Sequence, residues 1–258
     1  KPNFRDLYSS TTAVASTIER PGLGRTLRAI AARGRDAFYA GEFAEGLIEM
    51  ANGMYTREDL ASASATWDKP ISVAAYGHRV WSTAAPSQGY LFLAALAISE
   101  QLDRPDDPND AQWAHLLIEA STAVGYDRTE VLHDRADLGV TLEELVKRKS
   151  LISPEVASSR SHVGRDGDTT YMCAVDRNSM GVSLINSNAS GFGSGLVEQR
   201  TGINLHNRGL GFSLMKGHES ELTAGRQPPH TLCPALITRK NGSLLSVLGT
   251  MGGDAQPQ

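Results

Sequence analysis

Three short stretches in the second half of the chain hold the residues best suited to chemistry. They are Asp168-Thr169-Thr170 where a loop opens into a strand-like run, the glycine-rich Gly191-Phe192-Gly193-Ser194-Gly195, and Gly249-Thr250-Met251-Gly252-Gly253-Asp254 at the end of another run. A threonine hydroxyl can attack a carbonyl when a base lies beside it, and a glycine backbone can come close to a developing negative charge. Taken singly each stretch is ordinary, because Thr is enriched in strands and Gly in turns. Competing chemistries find less support. His78, His115, His133, His162, His206 and His218 show no metal-ligand spacing, so neither a metal nor a cofactor is expected. No GxGxxG after a strand, GxxxxGK[ST] or GxSxG occurs, which removes the common dinucleotide, nucleoside-triphosphate and serine-hydrolase readings.

The elements that must position these residues change character near residue 168. Before it the pattern is mainly helical. Leu23, Leu27, Ile30 and Ala31 recur at helical spacing, as do Phe43, Leu47, Ile48 and Ala51, and Thr56 ahead of Glu58 and Asp59 has the chemistry of an N-cap. A hairpin is expected around Tyr76-Gly77-His78, followed by a turn at Pro86-Ser87-Gln88-Gly89 and apolar helices over 90–102 and 113–124. Residues 104–110 read as a polar surface loop, and 153–168, without apolar periodicity, as a mobile segment. After 168 the runs become short and β-like. Residues 169–175 pair with 182–185 through a turn at 176–181, and Asn241-Gly242 marks a hairpin between 236–240 and 243–248. A helical part followed by a sheet-forming part argues for an α+β fold.

Composition narrows the partners. The chain has 258 residues, a formal net charge of −4 and 40% hydrophobic residues, enough for a sizeable core. Without a clustered Lys/Arg run, nucleic acid and membrane surfaces are poor partners, and the longest apolar run, around 91–98, is too short to span a bilayer. The N-terminal residues lack the order of a secretory signal, so a cytoplasmic location is expected. Cys173 and Cys233 lack CxxC spacing and are expected to be free, buried thiols.

In combination and in this order, the stretches at 168–170, 191–195 and 249–254 resemble the small subunit of the γ-glutamyltranspeptidase family of N-terminal-nucleophile hydrolases. Gly34-Arg35-Asp36-Ala37-Phe38-Tyr39-Ala40-Gly41, Tyr55-Thr56-Arg57-Glu58-Asp59-Leu60 and Pro86-Ser87-Gln88-Gly89 resemble landmarks of its large subunit. The resemblance covers roughly residues 20–258. It implies a four-layer αββα sandwich formed as one intertwined domain, with 1–168 as the large-subunit portion and 169–258 as the small-subunit portion. Thr169 then becomes the nucleophile, freed when its own hydroxyl cuts the Asp168-Thr169 bond of a zymogen. The released α-amino group, with a reference pKa of about 8, becomes the general base. Gly252 and Gly253 fall at the oxyanion hole, where a donor is typically worth about 3 kcal/mol, and Ser187 falls where a second hydroxyl orients the nucleophile. The implied reaction is hydrolysis or acyl transfer on a small-molecule amide, with water or an amine as acceptor. Large and small subunits come from one precursor, a dimer of these being the larger assembly the resemblance allows. Typical family chains run well before the point matching Lys1 and well past that matching Gln258.

The substrate side departs from the family pattern. Where γ-glutamyl enzymes carry Asn-Gln-x-Asp-Asp-Phe, with an aspartate for the substrate ammonium, this chain has Asn207-Arg208-Gly209-Leu210-Gly211-Phe212. Where they carry a Pro-Leu-Ser-Ser-Met turn, it has Pro229-His230-Thr231-Leu232-Cys233. An ammonium buried without its carboxylate is costly, so a glutathione-type substrate is not expected. Asn188, Arg208, His230 and Thr231 are the candidate substrate residues, Arg208 turning preference toward an anionic acyl group and His230 either touching substrate or satisfying its turn. The Asn188-Ala189-Ser190-Gly191-Phe192 and Pro228-Pro229-His230-Thr231 versions resemble the γ-glutamyltransferase-like branch, with acylases and antibiotic-pathway enzymes. Two alternatives stay open: a homologue acting on a specialised metabolite, and an unprocessed, catalytically silent one.

Overall fold

The computed structural model describes residues 8, 14, 15, 17–63, 65–134, 141–160, 167 and 169–257. They form two compact units, one holding residues up to 67 together with 192–207, the other 68–191 together with 208–257. Each unit draws on chain from both sides of residue 168.

The first unit contains helices α1 (Pro21–Arg33), α2 (Asp36–Tyr39), α3 (Glu42–Met50) and α4 (Arg57–Ser62) and the short strands β5 (Val197–Glu198) and β6 (Ile203–Asn204). Phe43, Ala44, Leu47 and Leu60 make its core, with Phe38, Ile48, Ile203 and Leu205 packed around them, as the helical spacing of 43–51 predicts. Thr56 caps α4 through a capping box: its side chain accepts from Asp59 N at 3.2 Å, and its own N–H donates to Asp59 Oδ2 at 2.8 Å. Helix α1 corrects an expectation. Leu27 and Ala31 face solvent, and the buried positions are Gly22 and Thr26. A Cβ at residue 22 would lie 2.6 Å from the Thr201 carbonyl oxygen, so the helix approaches this neighbour through glycine rather than through a leucine stripe.

The second unit is layered. Strands β1 (Ile71–Ala75), β2 (His78–Ser82), β7 (Ala235–Thr238) and β8 (Leu244–Leu248) form an antiparallel sheet in the order β1-β2-β7-β8. Gly242, at φ 83°, makes the Asn241-Gly242 turn expected between β7 and β8. Helix α5 (Gly89–Glu100) lies on one face of the sheet; Ile71 packs against its core cluster, and a Cβ on Gly89 would meet Ser82 Oγ. The helix is apolar all round because it is covered on several sides. Tyr90, Leu91, Ala94, Ala95 and Ile98 meet Ala120 and Val124 of α6 (Ala111–Gly125), Leu132 just after α7 (Arg128–Val131), and Leu145 of α8 (Leu142–Lys147).

Strands β3 (Thr170–Val175) and β4 (Gly181–Asn186) form a separate antiparallel hairpin. Alternation along the sheet shows which face the hairpin covers. Ser82, Ala235 and Leu248 are paired across β2, β7 and β8 on the helix side, so Val247 points the other way, where it meets Gly181. The layer order is helices, four-stranded sheet, hairpin. The hairpin's outer face leaves Met172, Val182 and Leu184 exposed. Cys233 is buried, but Cys173 is exposed, correcting the expectation of two buried thiols. Residues 161–166 and 168 of the segment expected to be mobile lie outside the described residues, as does the Asp168 side of the expected cleavage bond.

Candidate active site

Thr169 stands immediately before β3. Thr170 pairs with Asn186, so Thr169 and Ser187 are the next opposed positions just past the end of the ladder. The Thr169 side-chain oxygen is buried and has no hydrogen-bond partner among the described residues. A buried hydroxyl without a partner costs on the order of 1–3 kcal/mol, and such atoms collect where a ligand or reaction takes up the missing bond. Ser187 Oγ accepts a hydrogen bond from Ala189 N at 3.0 Å, inside a bend whose Ala189 has φ 79°. This fixes the hydroxyl's place just beyond β4. Asn188 follows half-buried, with no described hydrogen bond to Arg208, His230 or Thr231.

The end of β8 is fitted to the same hairpin. Ser183 Oγ donates to the Leu248 carbonyl at 3.0 Å, and a Cβ at Gly249 would overlap the Tyr171 ring. The chain then turns through Gly252 and Gly253, both left-handed at φ 129° and 58°. Side chains rarely adopt these angles, so the two glycines are what allow the turn. A Cβ at Gly167 would be 3.1 Å from Gly253 Cα and 3.0 Å from the Ala189 carbonyl oxygen. Two residues of chain, about 7 Å, separate that contact from Thr169. The hydroxyl, the Ser187 bend and the two-glycine turn therefore converge on one end of the hairpin.

A buried polar cluster adjoins Gly253. Residues 86–88 run parallel to 230, with His230 N donating to the Pro86 carbonyl at 2.9 Å and Gln88 N to the His230 carbonyl at 3.2 Å. The fully buried Gln88 side chain donates from Nε2 to the carbonyls of Thr231 at 3.2 Å and Gly253 at 3.1 Å, and its Oε1 accepts from Arg128 Nε at 2.7 Å. Arg128 Nη2 lies 3.4 Å from Asp254 Oδ1, both side chains being almost fully buried. Arg208 Nη1 donates to Thr231 Oγ1 at 3.3 Å, so two of the four substrate candidates meet directly. Burial pulls the Arg208 pKa down and the charge of Asp254 pulls it up; guanidinium remains cationic at neutral pH. His230 is depressed to about 4, first by burial and then by the positive charges of Arg208 and Arg128. Its ring is neutral at physiological pH, and Nδ1 accepts from Leu232 N at 3.3 Å.

Gln88, Arg128 and Asp254 were not singled out by chemistry in the sequence. Gln88 sits inside a motif read as a turn, Asp254 closes a stretch in which only the glycines were given a role, and the one available signal was an amide placed directly ahead of a largely apolar helix. Arg128, on a four-residue helix, gives none. Among the described residues no group of three or more His, Cys, Asp and Glu could hold a metal ion, and no helix is long and apolar enough to cross a membrane.

Comparison with known proteins gives this geometry a family. The chain is 37% identical to an oxamate amidohydrolase proenzyme of Klebsiella pneumoniae, over 97% of this chain and 50% of the relative. It is 34% identical to a glutathione hydrolase-like proenzyme, YwrD, of Bacillus subtilis, over 92% of this chain and 46% of the relative. The fold superposes on a cephalosporin acylase from Bacillus halodurans with a TM-score of 0.84 at 30% identity, covering 98% of this chain and 48% of that one. The chain thus spans about half the length of the relatives it matches. The family model described as gamma-glutamyltranspeptidase matches residues 1–258, and the chain belongs to the gamma-glutamyltranspeptidase family.

Proposed function

We propose that this chain carries the catalytic centre of a self-processing threonine amidohydrolase or acyltransferase, with Thr169 as nucleophile. The observation that carries the reading is the Thr169 hydroxyl, buried and without a partner among the described residues, two positions along the chain from Gly167, which packs against the left-handed Gly252-Gly253 turn. In the precursor, Thr169 Oγ1 attacks the carbonyl carbon of residue 168, the peptide C–N bond breaks, and the resulting ester is hydrolysed by water. That leaves residues 169 onward as a small subunit with a free α-amino group, and 1–168 as part of the large one. The proenzyme names of the two relatives support this order of events.

In turnover the α-amino group accepts the Thr169 hydroxyl proton as Oγ1 bonds to the substrate's amide carbon. The N–H groups of Gly252 and Gly253 receive the oxyanion, and Ser187 orients the hydroxyl. The leaving amine departs with the proton, and water or an amine takes the acyl group from Thr169. Four-layer αββα architecture follows if a further helical layer covers the exposed Met172, Val182 and Leu184 face. A dimer of processed subunit pairs and a cytoplasmic setting complete the reading.

Arg208, Thr231 and neutral His230 form the acyl pocket with Asn188, and an anionic acyl group suits them. The Klebsiella relative is named for oxamate, whose acyl group carries a carboxylate. The test uses full-length protein and p-nitroanilides of oxalyl, succinyl, glutaryl, γ-glutamyl and neutral acyl groups. Wild type releases p-nitroaniline and Thr169→Ala does not. Arg208→Ala lowers kcat/KM for anionic acyl groups by about 10- to 100-fold, the worth of a charged hydrogen bond, and for neutral ones by much less. Equal losses for both classes would remove Arg208 from acyl recognition, and turnover by Thr169→Ala would overturn the nucleophile.

A further inference from the structure

We propose that Gln88 is a positioning residue of the acyl-transfer site: its amide ties the Gly252-Gly253 turn to the Thr231 segment ahead of β7, and Arg128 with Asp254 fixes which way that amide faces. The inference rests on the reading of that turn as the oxyanion hole.

Gln88 has no exposed surface, and both hydrogens of its Nε2 have acceptors, the carbonyls of Thr231 and Gly253. Those carbonyls belong to the two segments with opposite tasks. Gly253 C=O fixes the orientation of a residue at φ 58°, hence where its own N–H points. Thr231 presents the hydroxyl that receives Arg208. The amide cannot be turned over, because Arg128 has only hydrogens to offer and donates from Nε to Gln88 Oε1 at 2.7 Å. Arg128 is in turn anchored at 3.4 Å by Asp254, the residue after Gly253. The ring closes on itself: Asp254 orients Arg128, Arg128 orients Gln88, and Gln88 holds the peptide that precedes Asp254. Cys233 N donates to Gln256 Oε1 at 3.2 Å, a second tie between the same two segments. Oxyanion stabilisation and acyl recognition are thus set by one buried amide.

Gln88→Glu tests this, since it keeps the size of the side chain and a partner for Arg128 while removing both donors. In the full-length protein we expect kcat on the p-nitroanilide series to fall about 100-fold, the scale of a misplaced oxyanion donor. KM for neutral acyl groups changes less than about threefold, because loss confined to the transition state leaves ground-state binding intact, whereas KM for anionic ones rises as the Thr231 contact to Arg208 loosens. Deuterium exchange rises in 229–233 and 249–257 with the remaining peptides unchanged. Should Gln88→Glu fail to fold, Arg128→Lys decides: it keeps the charge opposite Asp254 but lacks the paired nitrogens, and a smaller kcat loss with the same exchange pattern is expected. Wild-type kcat and unchanged exchange in either folded variant would overturn the proposal. An inactive wild type whose Gln88→Glu form still shows the local exchange increase would sink the catalytic reading instead.

Discussion

His230 shows how much of a residue's behaviour is set by what surrounds it. Its pKa of about 4 lies below the ordinary 6.5 because burial and the Arg208 and Arg128 charges oppose protonation. In the unfolded chain the ring takes up a proton as pH falls through 6.5, whereas the folded protein does not until about 4. The stability tied to this residue is therefore complete above pH 6.5 and is lost between 6.5 and 4, by up to about 3 kcal/mol. Denaturant unfolding at pH 7 and pH 4.5 checks this: His230→Asn is expected to shrink the difference between the two, and an undiminished difference would contradict it. Thr169, Ser187 and Arg208 were available as candidates in the sequence through the order of motifs. Gln88 and Arg128 were not, because what gives them a role is contact across 165 and 40 residues of chain.

Element-scale order depends on close approaches. The β3–β4 hairpin that carries Thr169 and Ser187 meets the four-stranded sheet through Gly181 and Gly249, so the site's geometry rests on two positions without side chains. Gly249→Ala forces the Tyr171 ring or the strand to move, at a cost of about 1–3 kcal/mol, and shifts the start of β3. A lowered thermal midpoint together with slower acylation is expected; a wild-type midpoint would show that the hairpin tolerates displacement. The hairpin itself was readable, as were the Asn241-Gly242 turn and helix α5, since each follows from local pattern. The buried side of α1 was not, because its leucines promised a face that Gly22 supplies instead. Periodicity registers apolar side chains and is silent where backbone meets backbone.

At the scale of the whole molecule the chain divides into two compact units, and the candidate site lies within one of them. The other has its own buried anchor. Glu198, with 1% exposure, accepts from Arg200 N at 2.8 Å, from Thr201 N at 2.9 Å and from the Thr201 hydroxyl, while lying against Gly46. Glu198→Gln turns one acceptor into a donor facing backbone N–H, and about 1–3 kcal/mol of that unit's stability is expected to go. Hydrogen exchange reads this as faster exchange in 197–204 and 42–50, and uniform exchange across the chain would contradict it. That division was not legible in the sequence, which shows a boundary in pattern near 168 but not how chain from both sides recombines. Self-processing at Thr169 is measured most directly by intact mass with N-terminal sequencing of the full-length protein beside Thr169→Ala. A new chain beginning Thr169-Thr170-Tyr171 is expected in wild type alone. An uncut wild type, or a variant cut at the same bond, would contradict it.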